Sequence, residues 1–206
     1  MLKIWGRVNS TNVKKVTWLV GELGIAHERI DAGGQFGVVG EPTYRAMNPN
    51  GKVPTIDDDG FVLWESNTIV RYLAAKHDTG GLYPADLRAR ADAERWMDWT
   101  TASFAPPFTN VFLPLVRFPP EKRDPAAIAA AAADCGKLLA IVDEALAGRP
   151  FLGGDRLTVG DIPLGCAAYG YFNLPIERPS LPNVEAWYQR LTERKAYQDA
   201  VMIPLT

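Results

Sequence analysis

Residues 50–76 constrain the fold of this chain more than any other stretch, because two short β-rich runs lead directly into a helical pattern. The runs are Pro54–Ile56 and Phe61–Trp64, and the Asp59–Gly60 dipeptide between them tolerates the positive φ of a hairpin turn. Apolar residues at helical spacing follow, namely Ile69, Val70, Tyr72 and Leu73. The stretch therefore predicts two antiparallel strands followed by an α-helix.

The start of this predicted helix leaves its N-terminus open to an anion. Ser66 precedes the apolar pattern and is a natural N-cap. A capping box needs Glu or Gln three residues later, but that position holds Ile69. The first N–H groups of the helix, and the positive end of its dipole, are therefore predicted to remain available to a negatively charged ligand.

The pair Val53–Pro54 indicates a second ligand-binding feature, on the strand side. Pro54 is predicted to open its strand, where a missing N–H is tolerated. The cis form of an X-Pro bond costs only about 0.5–1 kcal/mol. A cis bond here would turn the N–H and C=O of Val53 outward, ready to pair with a peptide-like ligand.

Composition and charge exclude several classes of protein. The 206 residues are 47% hydrophobic and 22% charged, which is ordinary for a globular protein of one large or two small domains. A net charge of −2 and a pI near 5.7 argue against nucleic acid or an anionic membrane as the main partner. Because no apolar run approaches about 20 residues and the N-terminus lacks a signal-peptide pattern, we expect a cytoplasmic protein without a membrane span.

The cysteines and histidines offer neither a redox motif nor a metal site. Cys135 and Cys166 form no CxxC pair and lie in helical patterns, which is typical of reduced, structural thiols. His27 and His77 are isolated and lack the spacing of metal ligands. We therefore expect no bound metal.

The N-terminal part of the chain has a β-α-β pattern. Leu2–Trp5 is typical of a strand, and an apolar stripe predicts a helix between Ser10 and Gly24. Residues 27–30 are predicted to form a second strand, parallel to the first and joined to it by a right-handed crossover. The glycine-rich residues 31–49 are predicted to form a surface loop, in which only Thr43–Met47 leaves a short helix open, and long loops often serve as functional lids.

The remainder of the chain is predicted to be helical. A helix over residues 86–103 must bend or end at Pro106–Pro107, because neither proline donates a backbone hydrogen bond. Asp124–Pro125 supplies the N-cap and first residue of an alanine-rich helix. The motif Thr158–Asp161 resembles a capping box with Asp in place of Glu, and we assign it a folding role. Two short helices are predicted within residues 184–202.

Three separated motifs resemble those of one protein family, in the family's order. Ser10–Asn12 precedes the first helix, Val53–Pro54 precedes the third strand, and Trp64–Ser66 precedes the next helix. The pattern resembles the N-terminal, thioredoxin-like domain of cytosolic glutathione transferases, and the resemblance extends through the whole chain. It implies an α/β plus all-α fold, in which a C-terminal helical bundle domain follows the thioredoxin-like domain. The implied boundaries are residues 1–77 for the glutathione-binding domain, 78–85 for a linker and 86–206 for the all-helical domain.

The resemblance implies a site for glutathione, which presents a thiol, a γ-glutamyl end and a glycyl carboxylate. The main chain of Val53, next to Pro54, would pair with the peptide, and the hydroxyl and N–H of Ser66 would hold a carboxylate. Glu65 would face the ammonium group, and Lys52 would reach the glycyl carboxylate. Plain helix capping by Ser66, and solvated surface charges at Glu65 and Lys52, are the alternatives.

Activation of the thiol needs a short polar side chain at the first helix. Lowering a thiol pKa from about 8.5 by two units requires about 2.7 kcal/mol of preference for the thiolate. One hydrogen bond to a charged group contributes about 1.5–3 kcal/mol, so a single hydroxyl suffices. The resemblance favours Ser10, which matches the serine of the family's serine-type classes. Asn12 and Thr11 stay open, since some bacterial relatives use an asparagine at this place and all three residue types are common N-caps.

The second substrate is expected to be hydrophobic and electrophilic. The helical half offers Phe104, Phe108 and Phe112, which would face the cleft between the domains. Packing of these rings in the core is the alternative. The glycine-rich loop around Phe36 is expected to cover the site.

The resemblance implies a glutathione transferase, in which the thiolate of the co-substrate glutathione attacks an electrophilic carbon and forms a thioether. A homodimer with a role in detoxification is expected from the family. The alternatives are a glutathione-dependent disulfide reductase or peroxidase, in which Asn12 would matter more than Ser10, and a binding or assembly module without turnover. Trp5 at the end of the first strand, and the lack of a cysteine near position 10, argue against tyrosine-type activation and mixed-disulfide chemistry.

Overall fold

The computed structural model describes residues 1–78 and 81–206, which form two compact units. The first unit contains residues 1–78 together with 196–203, and the second contains residues 81–195 together with 204–206. The linker predicted over residues 78–85 lies partly outside the described residues, at positions 79 and 80.

The first unit alternates strands and helices, as the sequence pattern predicted. Its strands are β1 (Leu2–Trp5), β2 (His27–Ile30), β3 (Thr55–Asp58) and β4 (Phe61–Trp64). Its helices are α1 (Thr11–Glu22), α2 (Pro42–Met47) and α3 (Ser66–His77). The strands lie in the order β2-β1-β3-β4, with β1 and β2 parallel and the other neighbours antiparallel. The predicted parallel pair and hairpin are both confirmed.

The hairpin differs from its prediction at both ends of β3. It turns at Asp59 and Gly60 as expected, with φ values of 51° and 93°. However, β3 begins at Thr55, so Pro54 lies outside the strand, and the strand continues through Asp58 into the aspartates that were expected to form the connection.

Asp58 belongs to the strand because α3 supplies two donors for its carboxylate. Tyr72 Oη donates to Asp58 Oδ2 at 2.7 Å, and Lys76 Nζ donates to the same oxygen at 2.6 Å. These contacts, the hydrogen bond from Lys76 first, hold the pKa of Asp58 below its ordinary value. A carboxylate with such partners is tolerated in a buried position.

The second unit is built from helices. They are α4 (Leu87–Trp99), α5 (Ala105–Arg117), α6 (Pro125–Ala145), α7 (Asp161–Asn173) and α8 (Pro182–Thr192), followed by α9 (Lys195–Ala200) at the border of the units. Asp124 caps α6 as predicted, because its Oδ1 accepts from the N–H groups of Ala126 at 3.0 Å and Ala127 at 3.1 Å.

The helix that was predicted to bend or end at Pro106–Pro107 instead changes from α-helical to π-helical geometry before these two prolines. Residues Thr100–Phe104 form a π-helical turn between α4 and α5. The two prolines then occupy the first turn of α5, where a missing N–H is tolerated. The chain therefore stays helical through this region, and π turns of this kind are frequent at functional sites.

Helix α6 meets the length and hydropathy criteria for a membrane span, alone among the helices of the described residues. It has 21 residues, and an 18-residue window within it has a mean hydropathy of 1.6, with 33% of that window buried. The expectation that no apolar run approaches a span is therefore wrong on length and composition, because a run of alanines is apolar although its side chains are small. One such helix is weak evidence for a membrane span, since core helices pass the same test.

The motif Thr158–Asp161 forms only one half of the predicted capping box, because α7 begins at Asp161 and its N-cap is Gly160, which makes no side-chain cap. Asp161 Oδ2 accepts from the Thr158 N–H at 2.9 Å, and Thr158 Oγ1 accepts from the Gly160 N–H at 3.3 Å. Asp161 Oδ1 also accepts from the Leu152 N–H at 2.8 Å and from Trp187 Nε1 at 2.9 Å. Burial raises the pKa of Asp161, and these hydrogen bonds oppose the rise. The carboxyl group thus links a loop, α7 and α8.

The C-terminal segment packs into the first unit, unlike the predicted division at residue 86. The Trp18 and Tyr197 rings meet edge to face, with centroids 4.8 Å apart. Lys14, which is buried in α1, donates from Nζ to the Val201 carbonyl at 3.0 Å. Residues 196–203 therefore cover α1.

Candidate active site

Three segments of the first unit come together at one end of its strands. Trp5, the last residue of β1, lies opposite Thr55, the first residue of β3, and Thr55 lies opposite Trp64, the last residue of β4. The loop after β1, the loop before β3 and the turn after β4 therefore leave the sheet at the same place. These are the segments that carry the three sequence motifs.

Ser10 stands at the N-terminus of α1 with its hydroxyl unused by the helix. It occupies the N-cap position, with φ −80° and ψ 122°, and its carbonyl accepts from the Lys14 N–H at 2.9 Å. Its side chain makes no capping hydrogen bond, and the residue is 8% exposed. An N-cap serine usually spends its oxygen on the first turn of the helix. Here the hydroxyl and the positive end of α1 are both available to a ligand.

The two neighbouring candidates differ from Ser10 in their surroundings. Thr11 is the first residue of α1 and is half-buried. Asn12 is exposed, and its Oδ1 accepts a hydrogen bond from Ser66 Oγ at 3.3 Å. Asn12 is thus tied to the start of α3.

The start of α3 departs from the prediction by one residue. Glu65 is the N-cap, with φ 72° and ψ 109°, and Ser66 is the first helical residue rather than the cap. Only Glu65 separates β4 from α3, so the chain reverses within one residue and takes a backbone conformation that is uncommon outside glycine. Strain of this kind clusters at functional sites. The Glu65 side chain is exposed and makes no capping hydrogen bond, so no side chain caps this helix end.

Val53 offers an unpaired main chain beside these helix ends. The Val53–Pro54 peptide bond is cis, as expected. Val53 is half-buried and lies outside the strand registers, and within the described residues its N–H and C=O form no hydrogen bond. Partly buried backbone groups of this kind normally find a partner. They are therefore suited to pairing with the backbone of a ligand.

The residue before Val53 is held through its backbone and leaves its side chain exposed. The Lys52 carbonyl accepts from Tyr44 Oη at 2.7 Å and from Asn48 Nδ2 at 2.9 Å. Burial raises the pKa of Tyr44, so its hydroxyl stays a donor. The Lys52 side chain extends from this fixed backbone into solvent, where it is placed to meet an anion.

Lys15 also lies beside Ser66 at the start of α3, and the sequence analysis did not identify it as a site residue. It is 7% exposed, and its Nζ donates to Ser66 Oγ at 3.4 Å. The signal that identifies it is its spacing from Asn12, since residues three apart lie on one face of a helix. The burial of Lys15 within an apolar helix pattern was not predicted, because lysines are seldom buried.

The aromatic residues expected to meet a hydrophobic substrate lie mainly in the core of the second unit. Phe104 is fully buried, stacked on Phe108 at 5.5 Å and in edge contact with Tyr171 at 6.4 Å. Phe108 is 6% exposed, and Phe112 is half-buried against it at 5.8 Å. Phe104 in the π turn and Phe108 in α5 thus pack against each other inside the second unit, and Phe104 also packs against Tyr171.

Neither the cysteines nor any cluster of metal-binding side chains offers a second site in the part of the chain that the structure describes. Neither Cys135 nor Cys166 forms a disulfide there, and both are buried. Burial, with a smaller contribution from Asp134, raises the pKa of Cys135 to about 12, so this thiol is protonated at neutral pH. Residues 1–78 and 81–206 hold no group of three or more His, Cys, Asp or Glu side chains placed to bind a metal.

Family models match both parts of the chain. The model described as glutathione S-transferase, N-terminal domain, matches residues 6–81, and the model described as glutathione S-transferase, C-terminal domain, matches residues 103–195. The chain belongs to the glutathione S-transferase family. Glutathione S-transferase GstB of Escherichia coli K12 is 44% identical to it over 208 residues, which cover the whole of both chains. Glutathione S-transferase 3 of Zea mays is 30% identical over 226 residues, covering 99% of this chain and 95% of the maize protein.

A solved member of the glutathione S-transferase family has nearly the same fold. The theta class enzyme of Xanthomonas axonopodis pv. citri, in its crystal structure with glutathione bound, is 53% identical to this chain. The two superpose with a TM-score of 0.96 over 100% of this chain and 99% of the other. The apo form of the same enzyme gives a TM-score of 0.87 over 100% and 98%.

Family membership confirms several sequence-based predictions. The α/β plus helical fold is that of glutathione S-transferases. The chain is an enzyme of the transferase class with glutathione as its co-substrate. The roles assigned to individual residues are a separate matter and stay predictions.

Substitution of Phe104 separates a core role from a substrate-binding role in this glutathione transferase. We expect Phe104→Leu to lower the free energy of unfolding by about 1 kcal/mol, because a ring-sized volume is nearly conserved in a packed core. The KM for a hydrophobic electrophile should stay unchanged. Urea unfolding and steady-state kinetics measure the two effects, with Phe112→Leu as the half-buried control. A raised KM at unchanged stability would contradict the core assignment.

Proposed function

We propose that this enzyme holds the thiolate of glutathione with the Ser10 hydroxyl and conjugates it to hydrophobic electrophiles. The observation that carries the proposal is the N-cap hydroxyl of Ser10, which makes no capping hydrogen bond. Asn12 is the alternative donor, since its Oδ1 accepts from Ser66 and its Nδ2 amide group would be the one to donate to the sulfur. Thr11 is the first residue of α1 and follows Ser10, the N-cap residue that we favour as the donor, by one position.

The proposed binding mode for glutathione uses both helix ends and the loop before β3. The free N–H and C=O of Val53, next to the cis bond to Pro54, pair with the cysteinyl backbone in the manner of an added strand. Ser66 holds the γ-glutamyl carboxylate at the N-terminus of α3. Glu65 faces the γ-glutamyl ammonium group, and Lys52 reaches the glycyl carboxylate.

The proposed reaction is a nucleophilic substitution or addition at carbon. The Ser10 O–H donates to the thiolate sulfur and stabilises its negative charge before attack. The sulfur then forms a bond to the electrophilic carbon, and the leaving group departs with its electron pair, or an added carbanion takes a proton from water. The Ser10 hydroxyl keeps its own proton throughout.

The proposal also includes a homodimer located in the cytoplasm, with a role in detoxification. The support for these three properties is membership of the family. Sedimentation at the mass of a monomer would contradict the homodimer.

Retention on immobilised glutathione, followed by parallel turnover assays, tests the function. We expect the protein to be retained and to turn over an aryl halide faster than a hydroperoxide or a mixed disulfide. Fast turnover of the hydroperoxide or disulfide alone would replace the transferase with a peroxidase or reductase. Retention without any turnover would replace it with a binding module.

A further inference from the structure

Four hydrogen bonds form a closed, buried network next to Val53. Tyr44 Oη donates to the Lys52 carbonyl at 2.7 Å, and Asn48 Nδ2 donates to the same oxygen at 2.9 Å. Thr55 Oγ1 lies 2.8 Å from Tyr44 Oη and accepts from Asn48 Nδ2 at 3.1 Å. The exposed fractions of Tyr44, Asn48 and Thr55 are 1%, 2% and 0%. We call these three side chains and the Lys52 carbonyl the Tyr44–Asn48–Thr55 network.

The direction of each hydrogen bond in the network follows from the protons available. The Tyr44 hydroxyl has one proton and gives it to the Lys52 carbonyl, so Thr55 must donate to Tyr44 Oη. The two amide protons of Asn48 go to the Lys52 carbonyl and to Thr55 Oγ1. Asn48 Oδ1 accepts from the N–H of Asn50 at 3.1 Å and from its Nδ2 at 3.2 Å. A reversed amide would set two acceptors against each other, so this orientation is the one that satisfies every group.

The network fixes the peptide unit that carries the Val53 N–H. The carbonyl of Lys52 and the N–H of Val53 belong to one planar group, and they point in opposite directions because this peptide bond is trans. The carbonyl oxygen accepts two hydrogen bonds, so the peptide plane cannot rotate without breaking both. The Val53 N–H is therefore held pointing away from the buried network.

Thr55 holds the chain on the other side of Val53 and Pro54. It is the first residue of β3, and its backbone lies in register with both β1 and β4. Its side chain belongs to the same network that holds the Lys52 carbonyl. The segment between Lys52 and Thr55 is thus anchored at both ends, while the N–H and C=O of Val53 form no hydrogen bond within residues 1–78 and 81–206.

We propose that this network positions the Val53 peptide unit for pairing with the cysteinyl backbone of glutathione. Tyr44, Asn48 and Thr55 are then positioning residues, which act through Val53 rather than on the ligand itself. The inference rests on the proposed function and deepens its binding mode. A donor that is already oriented avoids the cost of ordering the loop when the ligand binds. The network therefore acts on the KM for glutathione, whereas Ser10, on another segment, acts on the sulfur.

Two substitutions of Thr55 separate its hydroxyl from its volume. Thr55→Val keeps the shape of the side chain, but it removes an acceptor from Asn48 and a donor from Tyr44. We expect this variant to raise the KM for glutathione about 3- to 10-fold, the size of one neutral hydrogen bond, with kcat within about twofold of the wild type. Thr55→Ser keeps the hydroxyl and loses only a buried methyl group. It should keep the wild-type KM although its stability is lowered.

Tyr44→Phe tests the contact with the Lys52 carbonyl, and Tyr188→Phe is its matched control. Tyr188 is 8% exposed, and its hydroxyl accepts from Asn173 Nδ2 at 3.2 Å in the second unit. We expect Tyr44→Phe to raise the KM for glutathione about 3- to 10-fold, again with little change in kcat. Tyr188→Phe also removes the hydroxyl of a buried tyrosine and should leave this KM unchanged. Urea unfolding of both variants compares their losses of stability.

Hydrogen exchange at the Val53 amide measures the pairing itself. The enzyme is labelled with ¹⁵N-valine, and the ligand is S-methylglutathione, whose sulfur is already blocked. In the wild type, we expect the ligand to slow exchange of the Val53 amide about 10-fold or more, because the N–H gains an acceptor. In Tyr44→Phe and Thr55→Val, the slowing at saturating ligand should be smaller. A role in stability alone would leave this difference unchanged.

The results separate the positioning role from the proposed function. Wild-type KM values in both Tyr44→Phe and Thr55→Val would overturn the positioning role, as would an equal rise of KM in Thr55→Ser or Tyr188→Phe. If the wild-type enzyme binds S-methylglutathione without protection of the Val53 amide, the positioning role fails and the transferase function stands. If the wild-type enzyme neither binds nor turns over glutathione, the proposed function itself fails. Should Tyr44→Phe not fold, the two Thr55 variants decide by the same KM comparison.

Discussion

Replacement of Ser10 with alanine is expected to lower kcat about 100-fold, in the range found when one preorganised donor to a developing or fixed anion is removed. The binding of glutathione should change little, because its backbone and carboxylate contacts lie elsewhere. The pKa of the bound thiol should rise by about 1–2 units, the equivalent of one hydrogen bond to a charged group. The ultraviolet absorbance of the thiolate, titrated against pH in the enzyme complex, measures this shift directly.

Variants of the adjacent residues control for general damage to the first turn of α1. Thr11→Val removes a hydroxyl with little change in shape and should leave kcat and the thiol pKa near their wild-type values. Asn12→Ala should act mainly on the KM for glutathione, because Asn12 Oδ1 accepts from Ser66. If Ser10→Ala kept its rate and Asn12→Ala lost most of it, the thiolate donor would be Asn12.

Replacement of Asp161 with alanine is expected to lower the free energy of unfolding by about 4 kcal/mol or more. The carboxyl group accepts from the Leu152 N–H, the Thr158 N–H and Trp187 Nε1 at 2.8–2.9 Å. Asp161 and Trp187 are fully buried, so water does not replace the lost acceptor. A stranded buried donor costs about 1–3 kcal/mol, and three are stranded together. Chemical denaturation followed by tryptophan fluorescence measures the loss.

Two further aspartate variants calibrate this prediction. Asp124→Ala removes an exposed N-cap with two hydrogen bonds and should cost only about 1 kcal/mol. Asp161→Asn keeps one oxygen acceptor, but its amide NH2 group then faces N–H donors. We therefore expect an intermediate loss of about 2 kcal/mol in the free energy of unfolding. Equal losses for Asp161→Ala and Asp124→Ala would show that the buried network contributes no more than an ordinary cap.

The elements with regular patterns could be predicted from the sequence. The hairpin at Asp59 and Gly60, the parallel β1 and β2 pair and the cap at Asp124 each follow from a local rule on turns, crossovers or helix ends. The three site motifs were separated in sequence by tens of residues. Sheet register brings them together, because β1, β3 and β4 have their Trp5, Thr55 and Trp64 ends side by side.

Features that depend on tertiary contacts could not be predicted in the same way. Asp58 extends β3 because Tyr72 and Lys76, far along the chain, supply donors. Lys15 is buried because its ammonium group reaches α3, a contact that helix periodicity does not reveal. The one-residue shift at the start of α3 arises because Glu65 alone turns the chain after β4, with φ 72°, so Ser66 is already helical.

The inward position of Phe104 was also outside the reach of the sequence pattern. An apolar stripe predicts which residues share a helix face, but it does not determine whether that face meets a ligand or a neighbouring helix. The π turn over residues 100–104 adds a further rotation that regular periodicity does not include. The ring of Tyr171 on α7 meets the Phe104 ring edge to face.

The packing of Tyr197 on Trp18 has a consequence for biosynthesis and for protein engineering. The unit that carries the three sequence motifs is completed by residues near the end of the chain, so a ribosome must release almost the whole polypeptide before this unit closes. A fragment that ends at residue 78 would emerge with the Trp18 face of α1 bare and prone to association with other chains.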